Sequence, residues 1–142
     1  METICRILTK EEFNSALSIR LKVFVDEQNV PLEEERDHYD DSAIHFGAFV
    51  SDTMVATGRL IILDDNTGKI GRMAVLREYR GLGIGLTLLN SLIHECRRLG
   101  LKEAILSAQL QAIPFYEKAG FTAHVGIYDD AGIPHRTMTL CL

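Results

Sequence analysis

The hydrophobic residues of this chain follow two spacings, one typical of β-strands and one typical of α-helices. Short apolar runs that alternate with polar residues, or that are bounded by turn residues, predict strands. These runs cover residues 3–8, 44–51, 53–63, 69–75, 103–108, 121–128 and 135–141. Apolar residues at helical spacing predict three helices, which begin after residue 9, after residue 85 and at residue 112. Strands and helices therefore mix within one chain, which is typical of an α and β domain.

The residues between these runs predict how the strands connect. Ser51-Asp52 predicts a tight antiparallel hairpin, whereas residues 129–134 predict a long hairpin loop before the last strand. A helix lies between the strands at 69–75 and 103–108, so these two strands are expected to be parallel. Gly100 marks the end of that helix.

The segment from Arg80 to Gly85 holds three glycines at alternate positions, between a predicted strand and an amphipathic helix. Glycine permits φ > 0 and lets a ligand approach the backbone closely. The helix directs its free N–H groups and its positive dipole end into this loop, which favours a phosphate group. Arg80 adds a cation at the mouth of the loop. The spacing matches neither GxxxxGK[ST] nor GxGxxG, because leucine occupies positions 86 and 88, so both nucleotide-binding motifs are disfavoured.

The 142 residues are enough for one domain, 1–142, with a substantial hydrophobic core. A net charge of −5 argues against nucleic acid as a partner, and no apolar run is long enough to span a membrane. The N-terminus lacks the layout of a signal peptide, and three widely separated cysteines suggest reduced thiols and no metal site. We therefore expect a cytoplasmic protein that has no membrane partner. A homodimer is compatible with the sequence.

Two segments of the chain resemble the GNAT N-acetyltransferases. Met73-Ala74-Val75 followed by Arg80-Gly81-Leu82-Gly83-Ile84-Gly85 resembles the acetyl-CoA pyrophosphate loop of that family, and Phe115-Tyr116-Glu117-Lys118-Ala119-Gly120-Phe121 resembles its later FYEKxGF segment. The order of predicted elements is also similar over nearly the whole chain. Residues 23–31, 108–109 and 132–135 look like the ElaA-like branch. The resemblance implies an α+β fold in which helices flank a mixed, mostly antiparallel sheet of about seven strands.

The resemblance also implies a function and a binding site. The protein would be an enzyme that transfers an acetyl group from acetyl-CoA to a primary amine, by direct attack in a ternary complex and without a metal. The residues expected to bind acetyl-CoA are Met73, Ala74, Val75, Arg80, Gly81, Leu82, Gly83, Ile84, Gly85, Leu86, Gln109 and Tyr116. Tyr116 stands where the family carries its general acid, and its neutral hydroxyl can protonate the departing thiolate. The acceptor would be a small-molecule or peptide amine.

An amine acceptor must lose a proton before it attacks, because its pKa is about 10.4. Either a carboxylate or a histidine accepts this proton, or water relays it. Glu27 is ranked first as the general base, because it follows the first helix on the side where acceptors enter in the family. Glu34, His45 and His135 are the other candidates, and they are also expected to bind the acceptor. Half of the residues in 26–41 are acidic. This stretch is either a solvated loop or a lip that attracts a cationic acceptor.

A second class of function fits the same glycine loop. A non-catalytic module that binds or senses acyl-CoA would keep this loop but would need no proton donor. Tyr116, in its FYEKAGF context, favours the enzyme over the binding module. Turnover with an amine acceptor separates the two alternatives.

Overall fold

The computed structural model describes residues 2–142 and all of their side chains except those of Glu33 and Glu34. Seven strands within this range form one sheet: β1 (Thr3–Ile7), β2 (Ile44–Val50), β3 (Thr53–Ile62), β4 (Thr67–Val75), β5 (Glu103–Gln109), β6 (Thr122–Asp130) and β7 (Ile133–Cys141). Their spatial order is β1-β2-β3-β4-β5-β7-β6. Neighbouring strands are antiparallel except β4 and β5, which are parallel as predicted. The predicted α+β fold class with a mixed, mostly antiparallel sheet is confirmed.

The helices lie between the strands, as the spacing of apolar residues predicts. They are α1 (Phe13–Arg20), α2 (Leu32–Glu35), α3 (Ile84–Arg98) and α4 (Ile113–Glu117). Helix α1 continues directly into a π-helical segment, Leu21–Glu27. Short 3-10 segments cover His38–Asp41, Arg77–Tyr79 and Leu110–Ala112. Among residues 2–142, no helix has both the length and the apolar character needed to cross a membrane.

Helix α3 packs its apolar face on the sheet and forms the centre of the core. The buried side chains on this face are Leu88, Leu89, Leu92, Ile93 and Cys96. They meet buried residues of β3, including Val55 and Leu60. Gly100, at φ +77, follows the helix in the left-handed conformation that glycine adopts without strain. The core therefore fixes the start of α3 relative to the sheet.

The hairpin turns between β2 and β3 and between β6 and β7 are tight, which confirms one prediction and corrects the other. Ser51 and Asp52 have φ of +48 and +66, as a two-residue turn between β2 and β3 requires. The long loop predicted at 129–134 is wrong, because β6 extends to Asp130 and β7 begins at Ile133. Ala131 and Gly132 form the turn, with φ of +53 and +77. The tight turn brings residues of both strands next to the end of β5.

The stretch predicted as a solvated loop or an acidic lip, residues 26–41, is largely folded. Glu35 and Asp40 within it are 1% and 5% exposed. Both carboxylates pair with Arg20 of α1, at 2.6 Å and 2.8 Å, and Arg20 is itself 1% exposed. A buried guanidinium needs carboxylate partners, and these two acids supply them. The prediction is wrong for these two residues, because long-range pairing outweighs their preference for water.

Strands β4 and β5 separate soon after they pair. Their parallel register covers only three residue pairs, from Thr67–Glu103 to Lys69–Ile105. On its other side β4 carries one extra residue, since Gly71 lies opposite Arg59 and Ala74 opposite Thr57. Arg72 sits in this bulge with φ +50. A bulge bends its strand and re-aims the side chains beside it, and here it lies where β4 leaves β5.

Candidate active site

Three recesses lie near the separation of β4 and β5. The loop cleft is lined by residues that include Arg80, Gly81, Gly83, Gly85, Phe115 and Lys118. The central cleft is lined by residues that include Gly71, Met73, Ser107, Gln109, Tyr116 and His135. The side pocket is lined by residues that include Gln28, Glu35, Asp37, Gln109, Asp130 and His135. The central cleft and the side pocket share lining residues, whereas α4 contributes Phe115 to the loop cleft and Tyr116 to the central cleft.

The loop cleft has the backbone geometry of an anion site. Gly83 is the N-cap of α3 and has φ +81, and Gly81 has φ +76. A Cβ atom added at either glycine would meet no protein atom within 4 Å, so the space above both is open. The first helical bond runs from the Thr87 N–H to the Gly83 carbonyl, at 3.1 Å. The preceding N–H groups of α3 have no partner within the helix and can bind an anion.

Gly85 has a different role from the two glycines before it. A Cβ atom there would lie 3.4 Å from both Phe115 and Val75, at the short end of van der Waals contact. The absence of a side chain lets α4 approach the first turn of α3. Tyr116 follows Phe115 on α4 and lines the central cleft, whereas Phe115 lines the loop cleft.

Tyr116 lines the central cleft together with Met73 and Gln109. Its ring packs against Phe115 and Phe121, with ring centroids 5.1 Å and 6.2 Å away. Burial raises the pKa of Tyr116 to about 12, because a phenolate in this setting would lose its hydration. The hydroxyl is therefore protonated throughout the neutral range and is available as a hydrogen-bond or proton donor.

Gln109 ends β5 and faces both the central cleft and the side pocket. Its amide donates to Gln28 at 2.7 Å, which ties β5 to the segment that follows α1. The contact also places Gln28 and Phe24 on the shared wall of the two recesses. Gln109 thus lines two recesses, and its predicted contact with acetyl-CoA stays a prediction.

His135 lies on β7 beside Gln109 and is 8% exposed. Its Nδ1 is 2.6 Å from the Ile133 carbonyl oxygen, and its ring stacks on Tyr128. A carbonyl oxygen only accepts, so Nδ1 carries the hydrogen. Nε2 of the neutral ring then has a free lone pair. Because His135 lines both the central cleft and the side pocket, this nitrogen is a candidate proton acceptor.

Three other predicted residues have different surroundings. Glu27 accepts from Arg80 Nη2 at 2.6 Å, and Arg77 lies 3.5 Å away. His45 donates its Nε2–H to the Asp40 carbonyl and lines a separate recess near Phe13, and burial lowers its pKa. The side chain of Glu34 lies outside the described residues. The structure therefore brings together Gln109, Tyr116 and His135 but neither Glu27 nor His45.

Arg80 has partners within the protein, and Leu82 is exposed on the loop. The Arg80 Nε donates to the Val75 carbonyl at 2.9 Å, while its Nη2 binds Glu27. This places the guanidinium at the edge of the loop cleft, which it lines. Leu82 is 54% exposed. Its predicted ligand contact stays a prediction.

Sequence reasoning missed the four charged residues of the side pocket: Glu35, Asp37, Arg72 and Asp130. Arg72 Nε donates to the Glu35 carbonyl at 3.0 Å, and its Nη2 lies 3.3 Å from Asp37. The signal for Arg72 was a glycine followed by a charge within an apolar strand, which indicates a bulge. Glu35 has no such local signal, because its partner Arg20 is fifteen residues away.

Comparisons with known proteins agree with this geometry. A family model described as the acetyltransferase (GNAT) family matches residues 4–121. The chain is 37% identical over 130 residues to YjcF of Bacillus subtilis, named as an N-acetyltransferase, covering 91% of this chain and 92% of that one. It is 30% identical to protein ElaA of Escherichia coli, over 90% of this chain and 86% of ElaA. The crystal structure of ElaA superposes with a TM-score of 0.83, covering 97% of each chain. A protein of Lactobacillus plantarum described as an N-acetyltransferase superposes with a TM-score of 0.91 at 26% identity, over 100% of this chain and 99% of that one.

Proposed function

Since the chain belongs to the GNAT acetyltransferase family, we propose that it transfers an acetyl group from acetyl-CoA to a primary amine. The chain would act as one domain, 1–142, and hold both substrates together. Acetyl-CoA would supply the activated acetyl group as a thioester. The loop cleft is proposed to hold its pyrophosphate, because the open backbone at Gly81 and Gly83 and the N-terminus of α3 suit that group.

The reacting end is proposed to lie in the central cleft. Within the described residues, β4 pairs with β5 only as far as Lys69, so the edge of β4 that faces β5 has no strand partner after that residue. Backbone N–H groups within Met73–Val75 can therefore polarise a carbonyl oxygen placed in the gap. Gln109 is proposed to position the arm that carries the thioester.

Tyr116 and His135 are proposed to move the two protons. The amine nitrogen attacks the carbonyl carbon, a C–N bond forms and the C–S bond breaks. His135 Nε2 accepts the proton that the amine loses, and the Tyr116 hydroxyl gives a proton to the departing sulfur. The products are an amide and the free thiol, and proton exchange with water restores both side chains.

His135 is preferred to Glu27 as the base because of their contacts. His135 binds the Ile133 carbonyl through Nδ1, which leaves Nε2 as the nitrogen that can accept a proton, and the residue lines the central cleft. The Glu27 carboxylate is held by Arg80, a residue of the loop cleft. Glu27 is therefore better placed to orient Arg80 than to accept a proton, although its assignment as the base stays a prediction.

The observation that carries the proposal is the left-handed backbone at Gly83, open to solvent at the start of α3. Gly83→Ala would place a methyl group in the proposed pyrophosphate position. We expect acetyl-CoA to bind at least roughly tenfold more weakly in calorimetric titration, since steric exclusion removes charge-assisted contacts.

Gly100→Ala is the matched control for this experiment. Gly100 has φ +77 and no atom within 4 Å of an added Cβ, so the backbone strain is comparable. It lies at the opposite end of α3, away from the loop cleft. Equal acetyl-CoA affinity in the two folded variants would overturn the assignment of the loop. Release of thiol only in the presence of an amine would then separate the enzyme from a non-catalytic binding module.

A further inference from the structure

The side pocket contains a buried carboxylate oxygen that lacks a partner. The Glu35 side chain is 0% exposed, and its Oε1 accepts from Arg20 Nε at 2.6 Å. Its Oε2 has no hydrogen-bond partner among the described residues. Buried carboxylate oxygens are nearly always hydrogen-bonded, and Glu35 lines the side pocket, so this unpaired oxygen points to a missing donor.

The other charges of the side pocket favour a cation in that place. Its wall carries three carboxylates, those of Glu35, Asp37 and Asp130, against one guanidinium, that of Arg72. Asp37 already binds Arg59 at 2.7 Å and Arg72 at 3.3 Å. Within the described residues, the Asp130 carboxylate has neither a hydrogen bond nor an ion pair. Glu35 and Asp130 are therefore the two acids with unused acceptor capacity.

The side pocket is an extension of the proposed reaction site. Its wall and that of the central cleft share six residues: Phe24, Gln28, Arg72, Gln109, Asp130 and His135. Tyr116 lines only the central cleft, whereas Glu35 lines only the side pocket. An amine that reacts beside His135 can thus direct the rest of its chain toward Glu35.

The size and lining of the side pocket limit what enters it. Its volume of about 310 Å³ lies near the lower end of the range for small-ligand sites, which is about 300–1,000 Å³. Phe24, Val30 and Ile133 provide apolar surface between the acidic groups. A short aliphatic chain that ends in a cation fits both the charge and the lining.

We propose that the acceptor is an aliphatic diamine or polyamine, whose second ammonium group binds in the side pocket to Glu35 Oε2 and Asp130. This inference rests on the proposed acetyltransferase function. An ammonium group has three donors and no acceptor, so it can satisfy Oε2 and a rim carboxylate together. The reacting amine lies at the His135 end of the same chain.

Direct binding tests the inference without turnover. The 142-residue protein, saturated with CoA, is titrated with 1,4-diaminobutane, 1-aminobutane and 4-amino-1-butanol. The diamine should bind roughly tenfold or more tightly than either control, as a charge-assisted contact to a buried carboxylate would give. Equal affinity for the diamine and 1-aminobutane would overturn the inference. The amino alcohol can form hydrogen bonds at its far end but carries no second charge. If it binds as tightly as the diamine, the inference is also overturned.

Two adjacent aspartates supply a matched pair of variants. Asp130→Asn should weaken diamine binding roughly threefold to fivefold, the effect of an exposed ion pair. Asp129→Asn removes the same charge but should leave diamine binding unchanged. Asp129 lines neither the side pocket nor the central cleft, because successive strand residues face opposite sides. Equal losses in both variants would indicate general attraction to negative charge and would overturn the specific site.

Glu35→Gln tests the buried contact itself. It should remove most of the diamine's advantage over 1-aminobutane, and undiminished preference in a folded variant would refute the site. If the loss of the Arg20 pair prevents folding, the comparison of Asp130→Asn with Asp129→Asn decides. A protein that acetylates 1-aminobutane and the diamine equally refutes this inference alone. A protein that binds acetyl-CoA and acetylates no amine refutes the proposed function, while the titration still reports on the side pocket.

Discussion

Substituting the two candidate bases separately gives effects of very different size. His135→Asn retains an amide N–H near the position of Nδ1, so the donor to the Ile133 carbonyl is preserved, while the basic Nε2 is lost. Loss of a positioned general base lowers the rate by about 10²- to 10⁴-fold. We therefore expect kcat of His135→Asn to fall by roughly 10²-fold or more at pH 7, with little change in acetyl-CoA affinity.

Glu27→Gln should have a much smaller effect. Its ion pair with Arg80 joins side chains that are 21% and 42% exposed, so water and salt screen it. Exposed pairs contribute about 0.2–1 kcal/mol, which corresponds to a change of no more than about fivefold in an equilibrium constant. In Glu27→Gln, a change of this size should appear in the dissociation constant for acetyl-CoA, because Arg80 lines the loop cleft.

A continuous thiol-release assay with the best amine of a panel measures both variants, with the exposed thiol of Cys141 as a constant background. Raising the pH from 7 to 9 increases the free fraction of an amine of pKa about 10.4 by about 100-fold. The deficit of His135→Asn should shrink over this range, since less deprotonation is required of the enzyme. A 10²-fold deficit in Glu27→Gln that recovers at high pH, with His135→Asn near wild type, would refute the reasoning and return the base to Glu27.

Two further substitutions test the acid and the ion pairs behind the site. Tyr116→Phe should lower kcat by roughly 10²-fold and leave acetyl-CoA affinity intact. The loss in kcat should be constant from pH 7 to 10, because the pKa of Tyr116 is about 12. Turnover like that of wild type would exclude Tyr116 as the acid. Asp40→Asn should lower the free energy of unfolding by about 3 kcal/mol or more at pH 7, whereas exposed Asp41→Asn should change it little, as measured by urea denaturation. Burial opposes ionisation of Asp40, but hydrogen bonds from Arg20 outweigh it and lower the pKa of Asp40 to about 2. The stabilisation is therefore present above about pH 4 and is lost as the pH falls toward 2. A difference between wild type and Asp40→Asn that does not depend on pH would contradict this account.

The parts of the fold that depend on local pattern could be predicted from sequence. Helix α3 has a clear apolar face and a glycine at each end, and both glycines have the positive φ that their positions require. The parallel pairing of β4 and β5 followed from the helix between them. The position of Tyr116 in the central cleft agrees with its motif, and its role stays a prediction.

The acidic stretch could not be predicted, because its structure depends on distant partners. Arg20, Arg59 and Arg72 reach it from α1, β3 and β4, across fifteen to thirty-seven residues of sequence. Without those partners, a run of carboxylates resembles a solvated loop. The turn at Ala131-Gly132 was missed for a different, local reason: alanine seldom adopts the positive φ that Ala131 has here.

The bulge at Arg72 links these acids to the chemistry of the cleft. Its backbone lies at φ +50, a conformation that costs free energy for a residue with a side chain. The guanidinium donates to the Glu35 carbonyl and to Asp37, and these contacts offset that cost. The same residues that hold the bulge therefore shape the gap between β4 and β5, where the proposed reaction occurs. Arg20 binds Oε1 of Glu35 and Arg72 binds its carbonyl, while Oε2 has no hydrogen-bond partner among the described residues. The residues that hold the bulge thus include the one on which the proposed diamine site depends.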